Sequence, residues 1–141
     1  MKSFEFIEHT ADIAIRVRGA KLEDLFRNSA CALFSILINY KPKKATSEEK
    51  VILESETLEE LLVTWLNELI SLFFAYKFLP AEYSLVIEES QNAKILKALI
   101  KGAEFNPYKN KINKEVKAAT YHNLKVEKID KEYVAEIIFD V

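Results

Sequence analysis

Two stretches of this chain carry an apolar stripe at helical spacing, while apolar residues elsewhere alternate with a period of two. That switch of period restricts the fold more than any other feature. Leu22, Leu25, Phe26, Ser29, Ala30, Leu33, Phe34 and Leu37 follow the i, i+3, i+4, i+7 pattern of an amphipathic helix whose apolar face covers a sheet. Thr57 with Glu60 three positions later forms a capping-box signature ahead of a second helical run, Leu58 to Tyr76. Trp65 lies inside that run and is expected to anchor the core. Lys41-Pro42 ends the first helix, and Pro80 is expected to stop the second helical region.

Strands are predicted where alternation holds: Phe4 and Phe6, then Ile13, Ile15 and Val17, with the polar turn His9-Thr10-Ala11-Asp12 between them. A short strand is expected around Val51 to Leu53. Further strands are expected at Tyr83 to Ile87, Ile95 to Ile100, Val116 to Val126, and Tyr133 to Val141. The length of 141 residues and 50% apolar content suit one continuous core. The predicted fold is therefore α+β: a single domain over residues 1–141, with two helices packed on a largely antiparallel mixed sheet.

Composition removes several function classes. The chain has two glycines, Gly19 and Gly102, so phosphate loops of the Walker and Rossmann kinds, which need several, are ruled out. One cysteine, Cys31, permits neither an internal disulfide nor a cysteine zinc site and fits a reducing compartment. It falls within the first helical pattern, where a buried thiol acts as a small apolar group with nothing nearby to lower its pKa. The first residues lack the apolar run of an export signal, and Asn67 and Glu68 interrupt the most apolar stretch. Neither export nor membrane association is expected, and the cytoplasm is the expected location. Net charge is −2, but residues 91–128 hold nine lysines against three glutamates, a local +6 offset by −8 elsewhere.

The residue types that could carry chemistry are few. Asp12 opens an early strand and Asp140 ends the last one, followed by Val141 with its α-carboxylate. Alone, each aspartate suits a turn or surface position. If the fold brings them together, three carboxylates converge, and like charges that close need a cation or proton between them. Oxygen-only donors favour a hard divalent ion, namely calcium, magnesium or manganese, over zinc. Glu136 lies about 13 Å along the strand from Asp140, too far to join them. His9 and His122, the two histidines, each suit a hydrogen-bonded structural position. Lysines and tyrosines from Tyr108 to Tyr121 could meet phosphates and bases, although a solvated loop has the same composition. Lys117, flanked by Val116, Ala118 and Ala119, reads either as a solvent-facing strand lysine or as a positioned cation.

Four segments together, His9-Thr10-Ala11-Asp12, Leu62-Val63-Thr64-Trp65-Leu66-Asn67-Glu68-Leu69, Val116-Lys117-Ala118-Ala119-Thr120-Tyr121-His122 and Ile138-Phe139-Asp140-Val141, resemble the archease family. The likeness covers essentially the whole chain in order, with Thr64 standing where an acid commonly precedes the tryptophan. The resemblance implies a non-catalytic accessory protein that activates an RtcB-type RNA ligase in tRNA splicing, promoting its guanylylation and multiple turnover. It further implies a divalent metal ion at Asp12, Asp140 and Val141, with Lys117 functional. Lys117 and His9 are the candidates for contact with the partner or a phosphate, and tRNA would be met through the ligase complex. Two rival expectations stand beside it: a stand-alone metal-dependent phosphohydrolase using the same carboxylates, and a chaperone-like or RNA-binding module acting through the basic segment Lys109 to Lys117.

Overall fold

The structure is a computed structural model that describes residues 3–7, 12–38, 41–108, 110–120 and 124–141. In chain order the elements are β1 (Phe4–Ile7), β2 (Ile13–Gly19), α1 (Leu22–Leu37), β3 (Ser47–Ser55), α2 (Leu58–Tyr76), β4 (Phe78–Glu89), β5 (Lys94–Glu104), β6 (Ala118–Thr120), β7 (Val126–Ile129) and β8 (Glu132–Asp140). The two helices and the antiparallel strands bear out the α+β expectation. The strands divide into two sheets, one ordered β1-β2-β8-β6 with β7 also on β8, the other ordered β3-β5-β4. No helix among the described residues is long and apolar enough to cross a membrane.

Helix limits follow from local chemistry. Thr57 Oγ1 accepts from the Glu60 N–H at 3.1 Å, as the capping signature predicts. The Lys21 N–H donates to Asp24 Oδ2 at 3.2 Å at the start of α1. The end of α2 corrects the sequence expectation, because Lys77 adopts a left-handed conformation (φ 57°) and bonds back to the Leu72 carbonyl, which closes the helix before Pro80 is reached. Pro80 instead lies in β4, where the ladder skips from Pro80↔Gly102 to Glu82↔Lys101 and leaves Ala81 as a bulge. A residue lacking an N–H is tolerated at such a break. β3 is also longer than the Val51 to Leu53 segment expected. The span Val116 to Val126, expected as one strand, is two: β6 pairs with the last residues of β8 and β7 with its first.

Both helices touch both sheets: α1 lies against β2 and β4, α2 against β3 and β6. One core results, and Trp65 is at its centre, fully buried. Its indole N–H donates to the Phe26 carbonyl at 3.0 Å, and its ring meets Tyr83 edge-on at 6.0 Å. One residue thereby ties α2 to α1 and to β4. On the outer face of the larger sheet Arg16 bridges Glu5 at 2.9 Å and Glu136 at 2.6 Å, across three adjacent strands. Exposed pairs of this kind add little stability but favour one register.

The scarce glycines stand where backbones pass closest. A Cβ on Gly19 would lie 2.3 Å from the Leu25 nitrogen, and one on Gly102 would lie 2.3 Å from the Leu79 carbonyl oxygen. Neither backbone atom can move without disturbing an element. Gly102→Ala is therefore expected to destabilise the protein by about 1–3 kcal/mol, measured by urea denaturation; an unchanged midpoint would show that the β4 bulge absorbs the methyl group.

Candidate functional site

The outer edge residues of β8 are brought to one end of the larger sheet by register. β2 pairs with β8 as far as Ile13↔Phe139; Asp12 immediately precedes β2, and Asp140 is the last residue of β8. On the other edge of β8, Ala118 pairs with Asp140, and the Lys117 N–H donates to the Asp140 carbonyl at 2.8 Å. Residues directly opposite in an antiparallel pair share a face, so Asp140 and Ala118 lie on the face away from the buried Phe139 and Ala119. Asp140 is exposed and Asp12 half-buried. Val141 is half-buried and packs against the core, which holds the residue after Asp140 in place.

Four of the residues singled out from sequence thus meet at one sheet end: Asp12, Lys117, Asp140 and Val141. His9 lies outside the described residues, as do Lys109 and His122. Glu136 is engaged by Arg16 and stays apart from this end, as its spacing predicts. Among the described residues no three His, Cys, Asp or Glu side chains gather for a metal. The described side-chain donors here are therefore two carboxylates, and further protein oxygens have to come from the main chain around Asp140 and Val141. Such an all-oxygen set suits calcium, magnesium or manganese.

The support for this end was not legible in the sequence. Asn67, read there only as a break in an apolar run, reaches from α2 to β6. Its Oδ1 accepts from the Ala119 N–H at 2.8 Å and its Nδ2 donates to the Ala119 carbonyl at 3.3 Å. A side-chain amide thereby takes the place of a neighbouring strand on the free edge of β6 and holds Lys117 and Ala118 against Asp140. Glu59, in the first turn of α2, likewise accepts from the Val126 N–H of β7 at 2.8 Å. Polar interruption of an apolar helix was the available signal; its target was not.

The basic segment has a structural task. The Asn113 and Lys114 N–H groups donate to the Leu37 carbonyl at 2.6 and 3.4 Å, closing the end of α1. Its lysines 111 and 114 are exposed, and Tyr108 projects almost wholly into solvent.

Cys31 corrects an expectation. It is exposed, not buried in the helix stripe, and borders a cavity of about 260 Å³ between α1 and β4 with Lys41 and Tyr83. It sits between the buried Ala30 and Ala32 but points off their faces. Partial desolvation pushes its thiol up, and Lys41 and Arg27, cations not foreseen from sequence, only partly offset this. Burial, and then Cys31, raise Tyr83 well above the usual phenol range.

Two outcomes are expected. Asn67→Leu removes both bonds to Ala119 and should cost about 1–3 kcal/mol, with faster amide exchange at Ala119; wild-type protection there would refute the clamp. Since the raised pKa leaves less thiolate at neutral pH, alkylation of Cys31 by iodoacetamide should be slow at pH 7 and keep rising beyond the midpoint of a free thiol. A plateau at that midpoint would contradict the assigned shift.

Residues 4–141 match the model of the Archease protein family. The protein archease of Methanosarcina mazei is 35% identical over 99% of this chain and 97% of its own length. That of Thermococcus kodakarensis is 37% identical over the full length of both. Among solved structures, protein 1598 of Methanobacterium thermoautotrophicum superposes with a TM-score of 0.86 at 30% identity, covering 100% of both chains. An archease of Thermotoga maritima, described as a possible chaperone, superposes with a TM-score of 0.63 at 26% identity, covering 96% of this chain and 94% of its own. Fold, length and sequence agree across these relatives, and the chain belongs to the archease family.

Proposed function

We propose that this archease is a non-catalytic accessory protein that activates an RtcB-type RNA ligase in tRNA splicing, in the cytoplasm, by presenting a hard divalent ion on the Asp12–Asp140 sheet end. The observation that supports the reading is the strand register, whose last pairs, Ile13↔Phe139 and Ala118↔Asp140, adjoin Asp12 and Lys117 in sequence at one sheet end. Family membership and the description of the Thermotoga relative as a possible chaperone are in keeping with an accessory role.

Asp12, Asp140 and a main-chain oxygen of Val141 would hold the ion. When bound, it supplies positive charge that offsets negative charge developing on a transferring phosphoryl group. The chain's own part is to hold the two carboxylates in place at one sheet end. Lys117, anchored through its main chain to Asp140, offers an ammonium to a phosphate or to a carboxylate of the ligase. His9 is proposed for the same contact with the partner or a phosphate. The chain lacks a glycine-rich phosphate loop, so the nucleotide site belongs to the ligase, and tRNA is met through the complex.

The test is ligase guanylylation and multiple-turnover ligation with the ligase limiting. Asp12→Asn and Asp140→Asn should each remove most of the stimulation, by at least roughly tenfold, and Lys117→Ala should weaken it while leaving metal binding intact. Undiminished stimulation by both aspartate variants would overturn the proposal. Hydrolysis of nucleotides or phosphoesters by the purified protein alone, lost in Asp140→Asn, would replace it with the phosphohydrolase reading.

A further inference from the structure

The edge of a β-sheet presents backbone N–H and C=O groups without partners, and folded proteins cover, shorten or charge such edges to keep other chains off. Most strand edges of this protein are closed in that way. On β4, Glu23 accepts from the Ile87 N–H at 3.0 Å and Arg27 donates to the Tyr83 carbonyl at 3.3 Å, both from α1. On β6 and β7, Asn67 and Glu59 of α2 do the same. β1 is only four residues long.

β3 is the exception. It runs nine residues, Ser47–Ser55, and pairs along its whole length with β5 on one side. Among the described residues no strand and no side-chain hydrogen bond meets its other side. Val51 and Ser55 are buried on its inner face, whereas Lys50, Ile52 and Glu54 are exposed on the outer one. Ile52, in the middle of that face, is 72% exposed. Lys50 stands opposite Leu99 and Glu54 opposite Ile95, so neither meets a charge directly across on β5. Neither makes an ion pair among the described residues, although Lys94 and Lys97 of β5 pair with Glu89 and Glu88 of β4. Two unpaired charges of opposite sign thus flank an uncovered isoleucine, each two residues from it.

That order is self-complementary. When a second β3 lies antiparallel on this edge with Ile52 on the two-fold axis, Lys50 of each copy faces Glu54 of the other, Ile52 faces Ile52, and Val51 faces Leu53 on the inner side. Directly opposite residues have Cβ atoms about 4.5–5.5 Å apart, so both ion pairs and the isoleucine contact form together. Centring the pair one residue earlier sets Glu48 against Glu54, and like charges directly opposite destabilise. Centring it one residue later sets Ile52 against Glu54 and Lys50 against Glu56, which lies outside the strand. One register alone matches both charges and the isoleucine within β3.

We propose that the free edge of β3 is a docking site for a second copy of this chain, the two strands pairing antiparallel about Ile52 so that two three-stranded sheets become one continuous sheet. Backbone hydrogen bonds along residues 49–55 hold the pair, and the Lys50–Glu54 ion pairs fix its register. So narrow an interface makes a weak dimer, with a dissociation constant in the micromolar range. The Asp12–Asp140 end belongs to the other sheet, and the metal reading and this one stand independently.

Sedimentation equilibrium of the full-length protein, from low to high micromolar concentration, is the test. The wild type should pass from monomer to dimer over that range. Lys50→Glu sets a carboxylate against Glu54 and should weaken the dimer by at least roughly tenfold, as should Ile52→Lys, which opposes two ammonium groups at the axis. The swap Lys50→Glu with Glu54→Lys exchanges the partners while keeping both pairs, so it should restore the wild-type dissociation constant. All three side chains are exposed, and melting temperatures in dilute solution should match the wild type; should Ile52→Lys unfold, the charge variants decide alone. A wild type that stays monomeric throughout, a dimer indifferent to the single substitutions, or a charge swap that remains monomeric would each overturn the proposal.

Discussion

A strand whose two edges are both occupied cannot slide, and in this protein that strand is β8. Its backbone donors and acceptors are taken by β2 along one edge and by β7 and then β6 along the other. Ala135, Ile137 and Phe139 point into the core, while Glu136 and Asp140 face out. A slip of one residue would reverse every one of these side chains, so the apolar core specifies the register, and the register places the aspartates. The position of the candidate end is a consequence of packing elsewhere in the sheet.

The helix α2 completes that arrangement from the side. Its apolar residues fill the space between the two sheets, with Trp65 bonded to Phe26 and stacked edge-on against Tyr83. Its polar exceptions, Asn67 and Glu59, pin β6 and β7 to the helix. A three-residue strand such as β6 has too few ladder bonds to hold its position alone. The side-chain amide adds two bonds on the otherwise free edge, and Lys117 inherits its location from them. The stability of one short strand and the placement of Lys117 are coupled here through its backbone.

Charge is distributed in keeping with this division. Glu136 and Glu5 flank Arg16 in mid-sheet, where their hydrogen bonds and charge raise its pKa further and keep it cationic. At the sheet end Asp140 is exposed and Asp12 half-buried, and carboxylates drawn close together there would call for a cation, a proton or donors to relieve them. An exposed tip of this kind is open to a partner, which a site enclosed in the core would not be.

Local patterns sufficed for much of the fold. The stripe from Leu22 to Leu37, the Thr57 cap, the run to Tyr76, the alternation from Ile13 to Val17 and from Tyr133 onward, and the burial of Trp65 all report side-chain partitioning between water and core, which a sequence states directly. The candidate residues Asp12, Lys117, Asp140 and Val141 could also be named, since their types limit the chemistry. What the chain could not state locally were the pairings between distant segments: the division into two sheets, the break between β6 and β7, the left-handed stop at Lys77 in place of Pro80, and the exposure of Cys31. The same holds for Asn67 on Ala119. Each depends on which backbone lies across from which, and that is settled only when non-local apolar surfaces choose one register together.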